Sequence, residues 1–125
     1  MRQRTVEEQE MLYEYMQVLT GVSEAFQYLD GANMNDQRPK IVFRDTIMAF
    51  EKMHRSHTHI VDVLDDPFYS QELLTDFHDV IVVFEEWVQA KAADKKSLTL
   101  NQQLIPSFER WKSKMQAHIF PYISH

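Results

Sequence analysis

Large apolar residues recur along this chain at alternating spacings of three and four, in four separate segments. An α-helix completes a turn every ~3.6 residues, so this spacing places each set on one face of a helix. The four sets are Leu12, Tyr15, Leu19, Val22, Phe26, Leu29; Phe43, Ile47, Phe50, His54, His57, Val61, Leu64; Leu73, Phe77, Val80, Phe84, Trp87; and Leu104, Phe108, Trp111, Met115, His118, Tyr122. The pattern predicts an all-α fold in which four helices bury these faces in a common core.

Local signals at the ends of the segments set the expected helix bounds. Thr5 followed by Glu8 is a capping-box pattern, and Asp30-Gly31 is typical of a helix end. We expect the third helix to have its N-cap at Ser70. The expected helices span about residues 6–29, 38–64, 71–94 and 100–120, within a single domain of residues 1–125.

Pro106 complicates the fourth helix, because proline lacks the backbone N–H that an interior helical residue donates. Thr99 and Gln102 form a capping-box pattern upstream of it, and the apolar stripe continues through it from Leu100. We therefore predict one helix that is kinked at Pro106, and the alternative is a helix that begins at Pro106. In either case we expect Pro121 to end the helix.

The sign of the charge alternates between the four segments. Residues 7–36 hold seven acids and no base, and residues 62–86 hold eight acids and no base. Residues 38–55 hold five bases and two acids, and residues 91–114 hold six bases and two acids. In an antiparallel up-down-up-down four-helix bundle, each helix would then lie beside helices of the opposite charge. The charge pattern therefore favours this topology over arrangements that place like-charged helices side by side.

The composition argues against several classes of protein. The net charge of −6 disfavours nucleic acid as the main partner, because phosphate binding needs concentrated Lys and Arg. The chain has no cysteine, which excludes disulfides, zinc–thiolate sites and thiol nucleophiles. The amino terminus lacks the apolar core of a signal peptide, and no apolar run approaches membrane-spanning length. We therefore expect a soluble, acidic, cytoplasmic protein that does not bind membranes.

The histidines of the second segment are the strongest candidates for chemistry. Glu51 and His54 form an E-x-x-H pair, which places two metal ligands on one helical face, and His57 follows one turn later. A di-iron bundle needs a second such pair and further carboxylates, and the third and fourth stripes contain no acid. We interpret His57 as a core residue hydrogen-bonded to Tyr15, with no metal or cofactor. A metal-binding bundle with Glu51, His54 and His57 as ligands is the alternative.

No catalytic residues are predicted. The chain has no P-loop, no glycine-rich phosphate cradle and no G-x-S-x-G elbow. His59 and His78 are expected at a similar height on neighbouring helices, close to Asp62 and Asp79. We interpret them as surface residues without a role, and a transition-metal ion bridging the two histidines and a carboxylate is the alternative. The sequence therefore favours a non-enzymatic protein.

Residues 80–84 are apolar on every side of the predicted third helix, so one core stripe cannot cover them all. Two interpretations stay open: the helix packs on two sides within the monomer, or its outer face joins a second chain. The interface candidates are Ile81, Val82, Val83 and Val88. The function that we favour is a protein-binding helical bundle of adaptor, chaperone or regulator type. Its helical surface would bind a protein partner or form a homodimer.

Overall fold

The computed structural model describes residues 5–123, and every regular element in that range is helical. There are four helical segments, and the fourth is composite. They are α1 (Val6–Leu29), α2 (Gln37–Val63), α3 (Pro67–Gln89), and α4 (Ala93–Thr99) continued by a π-helical turn (Leu100–Leu104) and α5 (Ile105–Ile123). The predicted all-α class is confirmed, with no strand among residues 5–123.

Both ends of α1 have the capping features that the sequence predicts. The hydroxyl of Thr5 accepts a hydrogen bond of 3.1 Å from the backbone N–H of Glu8, whose carboxylate accepts one of 3.0 Å from the N–H of Thr5. Glu7 and Glu8 also lie at the positive end of the helix dipole. Beyond the C-cap Asp30, Gly31 has a φ of 80°, which only glycine adopts without steric cost.

The structure corrects the start of α3. Its N-cap is Asp66 rather than Ser70, because the Asp66 carboxylate accepts a hydrogen bond of 3.0 Å from the backbone N–H of Tyr69. Pro67 follows in the first turn, where its missing N–H would have no helical partner. Ser70 therefore lies inside the helix and is buried, and Phe68 in the first turn is 80% exposed.

The other end of α3 comes earlier than predicted, at Gln89, and a side chain from α4 satisfies its last carbonyls. The ammonium of Lys96 donates to the carbonyl oxygens of Trp87 at 2.7 Å, Val88 at 3.1 Å and Ala90 at 3.0 Å. A cation in this position also interacts favourably with the negative end of the helix dipole. Lys96 thereby joins α3 to α4.

The fourth segment is continuous from α4 to α5, so the predicted N-cap at Thr99 and the alternative start at Pro106 are both wrong. The N–H of Ile105 donates to the carbonyl of Leu100, five residues earlier, which makes a π-helical turn directly before Pro106. Pro121 lies inside α5 and does not end it. A proline in the last turn removes only one helical hydrogen bond, and its fixed φ is helical.

The core consists of the predicted faces of α1, α3 and α5. The helix α2 is rotated about its axis, so that the face it buries differs from its predicted stripe. The residues that α2 buries are Pro39, Thr46, Phe50, Met53, His57, Ile60 and Val63. Ile47 and His54, predicted to be core residues, are half-buried and exposed, respectively. Two apolar faces overlap on this helix. Met53, Ile60 and Val63 are spaced from Phe50 as residues on one helical face, and so are the residues of the predicted stripe. Periodicity alone therefore does not determine which of the two faces is buried.

The helices do not approach one another equally. α1 packs against α2 and α5, and α3 packs against α5 and, less closely, against α2. Phe26 of α1 lies edge-on to Trp87 of α3 and Phe108 of α5, at ring-centroid distances of 5.5 Å and 5.3 Å. Because α3 stands further from α2 than α1 does, a groove remains between α2 and α3.

Candidate functional site

The groove between α2 and α3, called the α2–α3 groove below, is the candidate functional site. It has a volume of about 190 Å³. Its apolar lining is Ile47, Phe50, Ile81, Phe84 and Val88, and its polar lining is Glu51, His54, Glu85 and Gln89. Apolar walls with a few polar groups at the edges are typical of a surface that binds another helix.

Two stacked phenylalanines form the floor of the α2–α3 groove. The rings of Phe50 and Phe84 are nearly parallel, with 3.8 Å between their centroids and 8° between their planes. Both side chains are buried, at 3% and 5% exposure. The ring of His54 stacks on Phe77 at 5.8 Å and forms part of the wall. The floor therefore belongs to the core, and the walls are open to solvent.

The structure brings two of the four predicted interface residues into the groove. Ile81 and Val88 line it, and Val82 lies beside it on α3 with 44% of its surface exposed. Val83 is half-buried and packs against the core. Ile47 belongs to the α2 wall, which sequence reasoning missed. The signal that could have found this wall is the excess of apolar residues in α2 over those that one core face needs.

Tyr15 and His57 form a buried pair that joins α1 to α2, as predicted. The hydroxyl of Tyr15 lies 2.7 Å from Nε2 of His57. Burial, with a smaller contribution from nearby His54, lowers the pKa of His57 to about 4. The ring is therefore neutral near pH 7, and its Nε2 shares one hydrogen bond with the Tyr15 hydroxyl, the direction of which depends on the ring nitrogen that carries the proton. Burial also raises the pKa of Tyr15 well above its usual value.

Glu51, His54 and His57 do not form a ligand set. Glu51 and His54 are exposed at the α2–α3 groove, whereas His57 is buried and its Nε2 is hydrogen-bonded to Tyr15. Within residues 5–123, no three His, Asp or Glu side chains are grouped so that they could hold a metal ion.

Two further polar contacts link α5 to its neighbours. His118 Nε2 lies 2.9 Å from the hydroxyl of buried Ser70, and burial lowers the pKa of His118, opposed by Asp66. The carboxylate of Glu109 accepts hydrogen bonds from Ser23 and Lys112. Burial would raise the pKa of Glu109, but these two partners outweigh it and hold the pKa below its usual value. Both contacts connect helices and lie outside the lining of the α2–α3 groove.

The fold and the groove define an all-α protein, compatible with a helical bundle, that presents an apolar groove on its surface. The chain belongs to a family described as a domain of unknown function (DUF8042), which it matches over residues 10–114. No curated protein and no solved structure matches it. Among the helices of residues 5–123, none combines the length and the apolar character that crossing a membrane requires.

Proposed function

We propose that this protein is a non-enzymatic, protein-binding helical bundle of adaptor, chaperone or regulator type, and that the α2–α3 groove is its binding surface. The observation that carries the proposal is an apolar groove flanked by exposed apolar side chains. Met48 on α2 is 63% exposed and Val82 on α3 is 44% exposed. A partner helix seated there would remove these groups from water, at a gain of about 25 cal/mol per Å² of apolar surface.

The proposal includes an antiparallel up-down-up-down course of the helices within a single domain. It is supported by contacts between Phe26 near the end of α1, Phe43 near the start of α2 and Trp87 near the end of α3. A kink of the fourth segment at Pro106 is part of the same arrangement, supported by the π-helical turn that precedes it. A cytoplasmic location is also proposed, and the lack of cysteine is consistent with it.

Site-specific photo-crosslinking in cells tests the function. A photoreactive phenylalanine analogue replaces Val82 beside the groove, or Leu98 on α4 as a control of similar exposure (51%). We expect the Val82 position to yield one adduct of defined mass, with another protein or a second copy, and the Leu98 position to yield none.

A second substitution connects the adduct to the groove. Val88→Glu places a charge on the apolar wall and should abolish the Val82 adduct, while circular dichroism reports that the helices are intact. If no adduct forms at Val82, or if the adduct survives Val88→Glu in the folded variant, the α2–α3 groove is not the binding surface.

A further inference from the structure

We infer that the α2–α3 groove binds a basic amphipathic helix of another protein, and that an arginine or lysine of this helix lies between Glu51 and Glu85. This inference rests on the proposed function, because it names the chemistry of the partner that the proposed surface binds. It follows from the charge on the two walls of the groove and from the position of that charge beside the apolar floor.

The two walls of the groove carry charge of the same sign. Glu51 lines the α2 wall and Glu85 lines the α3 wall, and both side chains are exposed. No lysine or arginine is among the residues that line the groove. Within residues 5–123, neither carboxylate forms an ion pair. A cation placed between the two walls is therefore attracted by both carboxylates.

The bases of the neighbouring helices leave this charge in place. Arg44 and Arg55 are exposed on α2, but neither lines the groove and neither forms an ion pair with Glu51. The helix α3 has no base of its own, because Pro67–Gln89 contains five acids and no lysine or arginine. The α3 side of the groove is therefore acidic, and complementary charge on a partner helix is basic.

The two carboxylates lie at nearly the same level along the groove. The stack of Phe50 on Phe84 marks a common level on α2 and α3. Glu51 and Glu85 each follow one of these phenylalanines by one residue, which corresponds to about 1.5 Å along a helix axis. The offset between the two glutamates is therefore at most about 3 Å along the groove. One guanidinium, with its five N–H donors, can reach carboxylates on both walls at this level.

The apolar surface beside the carboxylates suits the rest of a basic side chain. The floor is the stack of Phe50 on Phe84, and Ile81 and Val88 belong to the α3 wall. Lysine and arginine cover apolar surface with their methylene stems while their charged heads stay at a polar edge. A helix with an apolar face flanked by such residues therefore matches both the floor and the walls.

The same charges disfavour other occupants of the groove. A second copy that binds groove to groove would bring acidic walls against acidic walls. A second copy that binds through a different face makes a heterologous contact, which does not close into a two-fold symmetric pair. Nucleic acids and anionic membrane surfaces carry the same sign of charge as the walls and are repelled. A basic helix of another protein is the occupant that the charge selects.

Two synthetic peptides test the charge preference on the full chain. Both have about 18 residues in an alanine-rich sequence, a length at which such peptides are partly helical, and both carry leucines along one helical face. One has lysine at the positions that flank the leucine face, and the other has glutamate there. Fluorescence anisotropy of the labelled peptides measures binding. We expect the dissociation constant of the lysine peptide to be at least about tenfold below that of the glutamate peptide.

Matched substitutions separate the charge of the groove from the net charge of the chain. The double variant Glu51→Gln/Glu85→Gln removes both wall charges and should weaken binding of the lysine peptide at least about fivefold. Glu24→Gln/Glu72→Gln, at exposed positions on α1 and α3 outside the groove lining, removes the same total charge. This control should change the dissociation constant less than about twofold. Circular dichroism reports whether both variants are folded.

The crosslinked adduct at Val82 provides a second readout in cells. Its yield should fall when Glu51→Gln/Glu85→Gln is introduced and should stay unchanged with Glu24→Gln/Glu72→Gln. Mass spectrometry of the adduct maps the crosslinked segment of the partner. We expect that segment to come from another protein and to contain lysine or arginine within one helical turn of the crosslinked residue.

Each result either supports or overturns the inference. A preference for the lysine peptide that depends on the wall charges and not on the control charges, with a basic segment in the adduct, supports it. Equal binding of the two peptides, no binding of either, equal effects of the two double variants, or an adduct with a second copy overturns it. If the Val82 adduct with another protein is lost in Val88→Glu but persists without the wall charges, this inference fails and the proposed function stands. If the Val82 position captures nothing, the proposed function fails as well.

Discussion

The hydroxyl of Tyr15 lies 2.7 Å from Nε2 of His57 and connects α1 to α2 inside the core. Both side chains are buried, at 4% exposure each. A buried hydrogen bond of this kind matters less for its own strength than for what its loss leaves behind, because an unsatisfied polar atom in the core costs free energy.

Replacing Tyr15 by phenylalanine should therefore destabilise the protein. The Tyr15→Phe variant leaves Nε2 of His57 without its hydrogen-bond partner, which lowers the free energy of unfolding by about 1–2 kcal/mol. Urea denaturation followed by circular dichroism measures this difference. Tyr13→Phe is the matched control, because Tyr13 is 58% exposed and its hydroxyl should contribute less than about 0.5 kcal/mol. Equal stabilities of the two variants would contradict the prediction.

Acid should destabilise the fold through His57. Burial lowers the pKa of His57 from 6.5 to about 4 in the folded protein. Well above pH 6.5, His57 is neutral in both the folded and the unfolded chain, so its burial does not reduce the free energy of unfolding. As the pH falls from 6.5 toward 4, His57 binds a proton in the unfolded chain but not in the folded chain. The free energy of unfolding should fall by about 3 kcal/mol over this range.

The pH dependence can be assigned to His57 by substitution. In His57→Gln, the side-chain amide can form the hydrogen bond with the Tyr15 hydroxyl but does not titrate, so the loss of stability between pH 6.5 and 4 should become smaller. His59→Gln, at an exposed position on the same helix, should keep the pH dependence of the unsubstituted protein. Parallel pH profiles for the two variants would show that another group is responsible.

The contact between Lys96 and the end of α3 predicts an effect on stability. Lys96→Met keeps the aliphatic stem but removes three hydrogen bonds to carbonyl oxygens, and we expect a loss of about 1–3 kcal/mol. Lys95→Met, at the neighbouring exposed position, is the control and should change stability by less than about 0.5 kcal/mol. Thermal unfolding distinguishes the two variants, and a control that loses as much as Lys96→Met would refute the assignment.

The two glycines should respond to alanine with opposite signs. Gly21 lies inside α1 with open space around the position of a Cβ atom, so Gly21→Ala should stabilise the protein by about 0.5–1 kcal/mol. Gly31 has a φ of 80°, and an alanine there should cost about 1–2 kcal/mol. Chemical denaturation of both variants provides the measurement, and a shift of the same sign for both would contradict the backbone argument.

Patterns within single helices, together with the short loop between α1 and α2, predicted much of this fold. The capping box at Thr5 is confirmed because it depends on residues only three positions apart. The pairing of Tyr15 with His57 is confirmed because both belong to strong stripes whose relative height follows from a short loop. The predicted all-α class needed no more than these local patterns.

Features that depend on packing between helices could not be predicted in the same way. The predicted buried face of α2 was wrong at Ile47 and His54, because the distance between α2 and α3 determines which of the two overlapping faces is buried. The hydrogen bonds from Lys96 to the end of α3 cross the turn between α3 and α4, and no sequence motif predicts them. The α2–α3 groove is therefore only half predicted: its α3 wall, with Ile81 and Val88, followed from excess apolar residues, and its α2 wall did not.

The π-helical turn at Leu100–Leu104 has a consequence for how relatives of this chain can differ in length. A π turn holds one residue more than an α-helical turn, so the faces before and after it keep their orientation although the spacing between them is longer. A relative with one residue fewer between these positions could form an uninterrupted α-helix and still direct Phe108 and Trp111 into the core. Asn101, Gln102 and Gln103 are exposed and do not restrict such a deletion through packing. In a family alignment, the fourth segment should therefore accept a single-residue gap here, and nowhere else along its buried face without rotating the helix by about 100°.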